Sequence, residues 1–275
     1  MAMGALERET PSGTQLKGAR DERETSASVR RMFSRIAPRY DFLNRLLSFS
    51  QDQKWRRRTA QRFSKILRRT DARALDICCG TGDLALALER VRLRAIRDPR
   101  AHRFPIVGSD FAEPMLARAR KKARKESRGV TFLASDALNL PFADESFDLV
   151  AVAFGFRNLA NYEQGLREMA RVLKAGGMAA ILEFSMPRRG AMAAVYRLYF
   201  RRVLPVIGGM ISGTSEPYSY LPDSVSKFPS VSELSRMMES CGFTGVRTTS
   251  WNFGSVVLHT AKREVRWNPA SGETD

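Results

Sequence analysis

The stretch LDICCGTGD at positions 75–83 joins an apolar run to a glycine-containing turn. Glycine at 80 and 82 lacks the Cβ atom that would block a ligand from approaching the backbone, and a helix opening at 83 would offer unpaired N–H groups to an anion. We therefore expect a cofactor to bind at Asp76, Gly80, Thr81 and Gly82. Positions 80–85 (GTGDLA) also fit the dinucleotide pattern G-x-G-x-x-A, so a nicotinamide- or flavin-dependent oxidoreductase is an alternative.

Two further acids follow later predicted strands. Asp110 ends the second strand, where a carboxylate can accept both hydroxyls of a ribose. Asp136 and Ala137 follow the third strand, where the carboxylate can accept from an adenine amine and the next backbone N–H can donate to the ring. A nicotinamide enzyme would share the first acid but not this pair. S-adenosylmethionine carries an ammonium, a ribose diol and an adenine, which Asp76, Asp110 and Asp136 can bind in that order, so the sequence predicts this cofactor.

These residues meet only if a parallel sheet brings their strand ends together. From position 74 onward, strand and helix patterns alternate, which favours such a sheet. The predicted strands are 74–78, 105–109, 130–134, 147–153, 178–184, 245–250 and 254–260. Between them we predict one helix that begins at 83 and two more that cover 113–125 and 161–173. The last two strands are too close together for a crossover and predict an antiparallel hairpin.

The predicted fold is α/β: a Rossmann-like class I methyltransferase with a seven-stranded, mostly parallel sheet, a C-terminal antiparallel hairpin and an N-terminal helical lid. One domain is expected over 27–263, with the lid over 27–70. Residues 1–26 and 264–275 are polar and lack hydrophobic periodicity, so they are predicted to form a disordered arm and a flexible tail. In the lid, two helices meet at Ala37-Pro38, and a third helix over 53–67 has an arginine-rich face.

Several longer stretches carry a more specific resemblance. They are RYDFLN at 39–44, LDICCGTGDL at 75–84, DALNLPFADESFD at 136–148, AFGFRN at 153–158, REMARVLKAGG at 167–177, LEFSMP at 182–187 and YLPDSVSKFP at 220–229. Over residues 29–262 the chain resembles the ubiquinone/menaquinone C-methyltransferase family. The resemblance implies methylation of a polyprenylated quinol, with demethylmenaquinol preferred as acceptor and a benzoquinol as the alternative. Cys78 departs from the family's smaller residue, and 89–103 looks like a basic surface insertion.

The segment FGFRN at 154–158 replaces the [D/N]-P-P-[F/Y] motif of many amino-group methylases. Carbon methylation of a hydroquinone requires electron density on the ring carbon, which loss of a neighbouring hydroxyl proton provides. We expect Arg157 to be the catalytic residue that stabilises the resulting oxyanion, with water carrying the proton, since arginine is a poor base. Tyr40 and Asn158 are expected to orient the substrate.

The chain holds 46 Lys and Arg against 29 Asp and Glu, a formal net charge of +17. A polyanion is therefore considered as a partner, either nucleic acid or an anionic lipid leaflet. An RNA methyltransferase is carried as an alternative, but no cysteine follows the fourth or fifth strand, so no nucleic acid partner is expected. The mixture of arginines and aromatics at 188–204 predicts peripheral contact with an anionic membrane.

The remaining composition narrows the class of protein. Two histidines and three cysteines without ligand spacing predict no metal site and a reducing compartment. No apolar run is long enough to span a bilayer, so we expect a cytoplasmic enzyme, peripheral on the inner face of the cell membrane, and allow a homodimer. A non-catalytic binding protein is disfavoured because the cofactor loop and the Arg157-Asn158 pair are both intact.

Overall fold

The computed structural model describes residues 12–14, 19–48, 50–96, 104–126, 129–185 and 216–265. Three predicted segments lie wholly or partly outside these ranges. They are the membrane-contact segment at 188–204, the second half of the insertion at 89–103, and all but two residues of the tail. Among the described helices, none is both long enough and apolar enough to cross a membrane.

Seven strands form one sheet in the order β3-β2-β1-β4-β5-β7-β6. The first five strands are parallel to their neighbours, whereas β7 runs antiparallel to both β5 and β6. The strands are β1 (Ala74–Ile77), β2 (Ile106–Asp110), β3 (Val130–Ala134), β4 (Phe147–Ala153), β5 (Leu173–Phe184), β6 (Phe243–Trp251) and β7 (Val256–Arg263). This confirms the predicted seven-stranded, mostly parallel sheet with a C-terminal antiparallel hairpin.

Helices cover both faces of the sheet. They are α1 (Glu22–Ile36), α2 (Tyr40–Leu47), α3 (Gln51–Arg62), α4 (Ser64–Leu67), α5 (Asp83–Ala95), α6 (Glu113–Lys125), α7 (Tyr162–Val172), α8 (Glu216–Lys227) and α9 (Val231–Ser240). Because β1 and β4 are covered on both sides, they are apolar nearly throughout. Leu149 and Ala151 point into the core shared with α3, α4, α5 and α6, whereas Val150 and Val152 point into the core shared with α7 and α9.

The N-terminal helix begins earlier than expected. Residues 22–26 were assigned to the disordered arm, but α1 already starts at Glu22. The Asp21 side chain caps this helix by accepting from Glu24 N at 2.8 Å, and Thr25 is buried. The satisfied cap and the one buried side chain stabilise the first turn. This stabilisation offsets the conformational entropy lost on ordering, which had led us to predict disorder from the polar composition. As predicted, Pro38 lies in the short 3₁₀ turn Ala37–Arg39 that joins α1 to α2.

The first half of the predicted surface insertion is the end of a core helix. Helix α5 continues to Ala95, and Glu89 and Arg92 are only 1% and 2% exposed. Their side chains form an ion pair at 2.5 Å, one helical turn apart. Mutual neutralisation lets two charged residues occupy a buried helix face, which composition alone could not indicate.

Strand β5 also starts earlier than predicted, at Leu173 rather than at 178, because it follows α7 without a loop. Its pairing with β4 shifts register between Phe147 and Leu149, and Gly176 within it has φ +71. An irregular strand of this kind accommodates Gly176 and Gly177, although glycines at this position favour the end of a helix. In the hairpin, a 3₁₀ turn over Asn252–Gly254 separates β6 from β7.

Candidate active site

An open cleft of about 640 Å³ lies at the carboxyl edge of the parallel strands, under helices α1 and α2. Loops following β1 to β4 form its floor, and the lid contributes Ser26, Phe33 and Tyr40. The predicted site residues that line the cleft are Tyr40, Gly80, Asp110, Asp136, Ala137 and Asn158.

Asp76 lies at the end of β1 and is 1% exposed. Its Oδ2 accepts from the Ala85 backbone N–H at 2.9 Å, in the first turn of α5. Its Oδ1 has no hydrogen-bond partner among the described residues. Burial raises the pKa of this carboxyl well above its ordinary value. A buried carboxylate oxygen without a donor is costly unless a ligand supplies one, so this atom is suited to a cationic group bound beside the loop.

The glycine turn above Asp76 has a left-handed backbone at both glycines. Gly80 and Gly82 have φ +54 and +81, in the left-handed region that favours glycine. A Cβ on Gly82 would lie 2.8 Å from the Phe132 ring, so this position also lacks room for a side chain. Gly80 instead faces the cleft, where a Cβ would meet only Tyr40, at 3.8 Å.

Asp110 connects the ends of β1 and β2. Its Oδ2 accepts from Gly80 N at 2.8 Å and its Oδ1 from Ala112 N at 2.9 Å. Burial raises the pKa of this carboxyl, while the backbone donors oppose the rise. Each oxygen retains a second lone pair, and the residue lines the cleft, so it can still accept from a diol.

Asp136 and Ala137 follow β3 on the same side of the cleft. The Asp136 Oδ1 accepts from Leu138 N at 2.9 Å, which holds the turn, and the side chain is exposed. The neighbouring Ser135 also lines the cleft, and its buried hydroxyl has no partner among the described residues. This wall of the cleft therefore combines an oriented carboxylate with a hydroxyl that is still able to hydrogen-bond to a ligand.

The loops after β1 and β4 touch closely beneath the cleft. Cys78 and Phe154 line it and have φ +49 and +63, although neither is glycine. A Cβ at Gly155 would lie 2.5 Å from the Cβ of Cys78, so only glycine fits at 155. Cys78 is accommodated because the loop after β4 places Gly155, which has no side chain, against it. Backbone strain of this kind is common at functional sites.

Thr81 serves the lid more than the cleft. It is 2% exposed, and its hydroxyl donates to Asp41 Oδ1 of α2 at 2.5 Å. Lys122 of α6 donates to the same hydroxyl at 2.9 Å and also pairs with Asp41 at 2.9 Å and with Asp83 at 2.6 Å. This four-residue cluster ties α2 to the cofactor loop, a function that the sequence did not reveal for Lys122.

Arg157 lies behind the cleft rather than in its lining. It is 6% exposed, and its Nη1 donates to Glu183 Oε1 at 2.8 Å and to the Phe154 carbonyl at 2.6 Å. Burial lowers the pKa of Arg157, but the Glu183 carboxylate outweighs that effect and the pKa is raised. The guanidinium is thus a permanent, partly neutralised charge beneath Phe154 and Asn158. Sequence reasoning missed Glu183, which lies in the quoted LEFSMP stretch.

Asn158 lines the cleft and is held by a second residue that the sequence did not single out. Tyr220 of α8 donates to Asn158 Oδ1 at 3.0 Å, and its hydroxyl is 3.4 Å from Thr14 Oγ1. Tyr220 is 8% exposed. It opens the quoted YLPDSVSKFP stretch, and that pattern was the only signal in the sequence that could have identified it.

Together these contacts form a site with three acids on one side and a polar Asn158 near a buried cation on the other. The orphan oxygens of Asp76 and Ser135 and the open space at Gly80 fit a ligand with a cationic group and several hydroxyls. Within the described ranges, no group of three His, Cys, Asp or Glu residues could hold a metal ion.

Comparison with known proteins agrees with this geometry. A model of the ubiE/COQ5 methyltransferase family matches residues 18–263. A demethylmenaquinone methyltransferase of Thermus thermophilus is 50% identical over 232 residues, covering 84% of this chain and all of that protein. A ubiquinone/menaquinone biosynthesis C-methyltransferase of Geobacter sulfurreducens is 43% identical, covering 88% and 91%. A SAM-dependent methyltransferase structure from Thermotoga maritima aligns with a TM-score of 0.55 at 21% identity, covering 86% of this chain and all of that one, which shows the shared fold.

Proposed function

This chain belongs to the ubiE/COQ5 methyltransferase family, and on that premise we propose that it methylates a ring carbon of a polyprenylated quinol, converting demethylmenaquinol to menaquinol. The 50% identity to a demethylmenaquinone methyltransferase over that protein's whole length supports the naphthoquinol acceptor. A benzoquinol acceptor is the second candidate, because the Geobacter relative is named for both pathways.

The family and the fold imply S-adenosylmethionine as the methyl donor. Asp76 would hold its ammonium, Asp110 its ribose hydroxyls, and Asp136 with the Ala137 N–H its adenine. Gly80 would give the cofactor room for close approach to the backbone, while Gly82 would act by letting the turn pack against Phe132. Thr81 would act through the lid contacts of its hydroxyl. When bound, this cofactor supplies an electrophilic methyl group on a sulfonium. The observation that carries the proposal is that Asp110, Asp136 and Asn158 line one cleft at one sheet edge, with Asp76 buried beside the loop that forms its floor.

The chain's own contribution is to make a ring carbon nucleophilic. Loss of a hydroxyl proton from the quinol places negative charge on the oxygen and on the neighbouring carbon. Arg157 would stabilise that charge from behind the loop, while water takes the proton, and the ring carbon loses its own proton after the C–C bond has formed. Glu183 fixes the orientation of the guanidinium, and Tyr40 and Asn158 would align the ring. Charges prearranged in a dry site are typically worth several kcal/mol in the transition state.

We also propose that the enzyme works in the cytoplasm at the inner face of the cell membrane, because a polyprenyl tail partitions into the bilayer. No nucleic acid partner is included, and the homodimer stays an expectation that analytical sedimentation will test. The exposed cations Lys54, Arg58 and Arg62 of helix α3 support the membrane assignment.

The test is transfer of labelled methyl from S-adenosylmethionine to three acceptors offered separately: demethylmenaquinol, the corresponding benzoquinol and bulk RNA. We expect label on the naphthoquinol ring, with less on the benzoquinol and none on RNA. Label on RNA alone would replace the quinol assignment with an RNA methyltransferase. Binding of a nicotinamide or flavin nucleotide, with no calorimetric heat from S-adenosylmethionine, would contradict the cofactor assignment itself.

A further inference from the structure

We infer that a docking surface for an anionic lipid bilayer lies at the carboxyl edge of the sheet, beside the lid, and is formed by Phe42, Phe253 and the stripe Lys54, Arg58 and Arg62. The inference deepens the proposed function by assigning the membrane contact to particular residues, and it rests on that function only for its activity measurement. The binding measurement stands without it.

The exposed aromatics are the first observation. Among the described residues only three large hydrophobic side chains are exposed, and two of them are Phe42, at 59%, and Phe253, at 80%. Phe42 is in lid helix α2, two residues after Tyr40, which lines the cleft. Phe253 is at the tip of the β6–β7 hairpin with φ +57, a strained conformation for a bulky residue. Both phenylalanines therefore expose apolar ring surface to water, which is unfavourable.

The topology places both residues at the same edge of the sheet. Strand β5 ends at Phe184, which pairs with Val256 at the start of β7, so the hairpin tip lies at the carboxyl edge with the cleft. Trp55 of α3 packs on Phe184 and Phe154, with ring centroids 6.3 and 5.9 Å apart, and α3 follows directly after α2. Helix α3 thus bridges the lid and the hairpin.

A basic stripe runs between the two phenylalanines. Lys54, Arg58 and Arg62 are spaced by four residues, so they share one face of α3, and all three are exposed. Arg62 donates to Thr249 Oγ1 of β6 at 2.5 Å, which fixes this face next to the hairpin. Within the described chain, no carboxylate lies within 4.0 Å of Lys54 or Arg58, so their charges are available to a partner.

An anionic bilayer fits this pattern better than a protein or a nucleic acid. Aromatic side chains prefer the headgroup level of a membrane, and cations near the surface are attracted to anionic lipids. The two phenylalanines are separated by charges and do not form the contiguous apolar centre that is usual in a stable protein interface. A bilayer contacted here would lie at the same edge of the sheet as the cleft in which a lipid-tailed acceptor has to bind.

Sedimentation with vesicles of phosphatidylglycerol and phosphatidylcholine, against pure phosphatidylcholine, tests the surface. The wild-type chain should bind the anionic vesicles more tightly than the neutral ones. Lys54→Gln with Arg58→Gln should weaken binding by roughly fivefold for each cation, and Phe253→Ser by about tenfold. Trp251, half-buried beside the tip, should be quenched by brominated lipid acyl chains.

A matched control comes from helix α6. Lys121 and Lys125 are also exposed and four residues apart, but α6 packs on β2 and β3 at the other end of the sheet. Lys121→Gln with Lys125→Gln removes the same charge and should leave vesicle binding within about twofold. Equal losses in the two double variants would mean that only net charge matters, and would overturn the inference. So would a Lys54→Gln/Arg58→Gln variant that loses binding to bulk RNA but keeps its affinity for anionic vesicles.

The activity measurement separates this inference from the proposed function. The docking variants should lose turnover on a long-tailed quinol in vesicles and keep it on a short-tailed, water-soluble quinol. If the wild-type chain methylates neither quinol, the proposed function fails, while the vesicle measurements still decide the docking surface. If the variants lose turnover on both quinols equally, the surface is not a membrane contact and the inference fails.

Discussion

Arg157 and Glu183 form an ion pair behind the cleft, with Nη1 and Oε1 2.8 Å apart and both side chains less than a tenth exposed. The two residues are 26 positions apart, at the ends of adjacent strands β4 and β5. The Phe154 carbonyl accepts from the same nitrogen. This arrangement fixes a cation under the loop that carries Asn158, and its removal has consequences for both stability and turnover.

Glu183→Gln should lower the free energy of unfolding by about 3 kcal/mol, because it leaves a buried guanidinium without its countercharge. It should also reduce kcat by about 100-fold, with the affinity for S-adenosylhomocysteine within twofold of wild type. Urea unfolding, steady-state kinetics and calorimetry provide the three readouts. Glu163→Gln is the control, since it removes the same charge from an exposed pair with Arg167 and should change stability by less than about 1 kcal/mol. Equal unfolding losses in the two variants would contradict the role of the buried pair.

Asp76→Asn should stabilise the ligand-free protein at high pH. Burial raises the pKa of Asp76 above its ordinary value of 3.8, so the folded state holds this proton more tightly than the unfolded state does. The stability that Asp76 contributes is therefore greatest in acid and is lost as the pH rises through the raised pKa. The difference in Tm between variant and wild type should grow as the pH rises above 3.8, the ordinary pKa of the carboxyl, and should reach about 3 °C. The affinity for S-adenosylhomocysteine should fall at least tenfold.

Asp71→Asn is the control for that measurement. Its pKa is lowered by the hydrogen bond from Arg69, which is the opposite direction, and the side chain is exposed. This variant should gain no stability at pH 8. A Tm difference for Asp76→Asn that stays constant from below pH 3.8 up to about pH 8 would show that its carboxyl does not titrate as burial requires.

Thr81→Val should loosen the lid. The substitution keeps the shape of the side chain but removes the hydroxyl that binds Asp41 and accepts from Lys122. Loss of a hydrogen bond to a charged group should speed amide exchange in α2 by roughly tenfold or more. Hydrogen exchange read by mass spectrometry over residues 40–47 measures this, and Thr81→Ser, which keeps the hydroxyl, should exchange like wild type. Unchanged exchange in Thr81→Val would mean that the Lys122–Asp41 pair alone holds the lid.

Tyr220→Phe should weaken binding of the quinol, which is the methyl acceptor, and leave binding of the methyl donor unchanged. Without its hydroxyl, Asn158 loses the hydrogen bond that orients its amide toward the cleft. A lost hydrogen bond of about 1 kcal/mol corresponds to an increase of roughly fivefold in KM for the quinol, with the affinity for S-adenosylhomocysteine unchanged. Tyr162→Phe is matched to it, because that hydroxyl bonds the Arg157 carbonyl in the core and should lower stability without changing KM. The opposite pattern in the two variants would remove Tyr220 from the site.

The sheet and the acids at its carboxyl edge could be predicted from the amino-acid sequence. Apolar runs ending in Asp76, Asp110 and Asp136 could be assigned to successive strands, and the carboxyl ends of parallel strands meet at one edge. Gly80 and Gly82 could be singled out because glycine lacks the Cβ atom that would block a ligand from the backbone. These features are local in the chain, so their spacing carries the information.

The tertiary structure alone decided which partners these residues take. Thr81 turns its hydroxyl to a lid residue 40 positions earlier, and Tyr220 reaches Asn158 across 62 positions. Glu183 neutralises Arg157 only because β4 and β5 are neighbours, and Phe253 lies at the carboxyl edge of the sheet only because β7 runs antiparallel to β5. Contacts of this kind join residues far apart in the chain and leave no periodic pattern within either segment, so the packing of the folded sheet has to specify them.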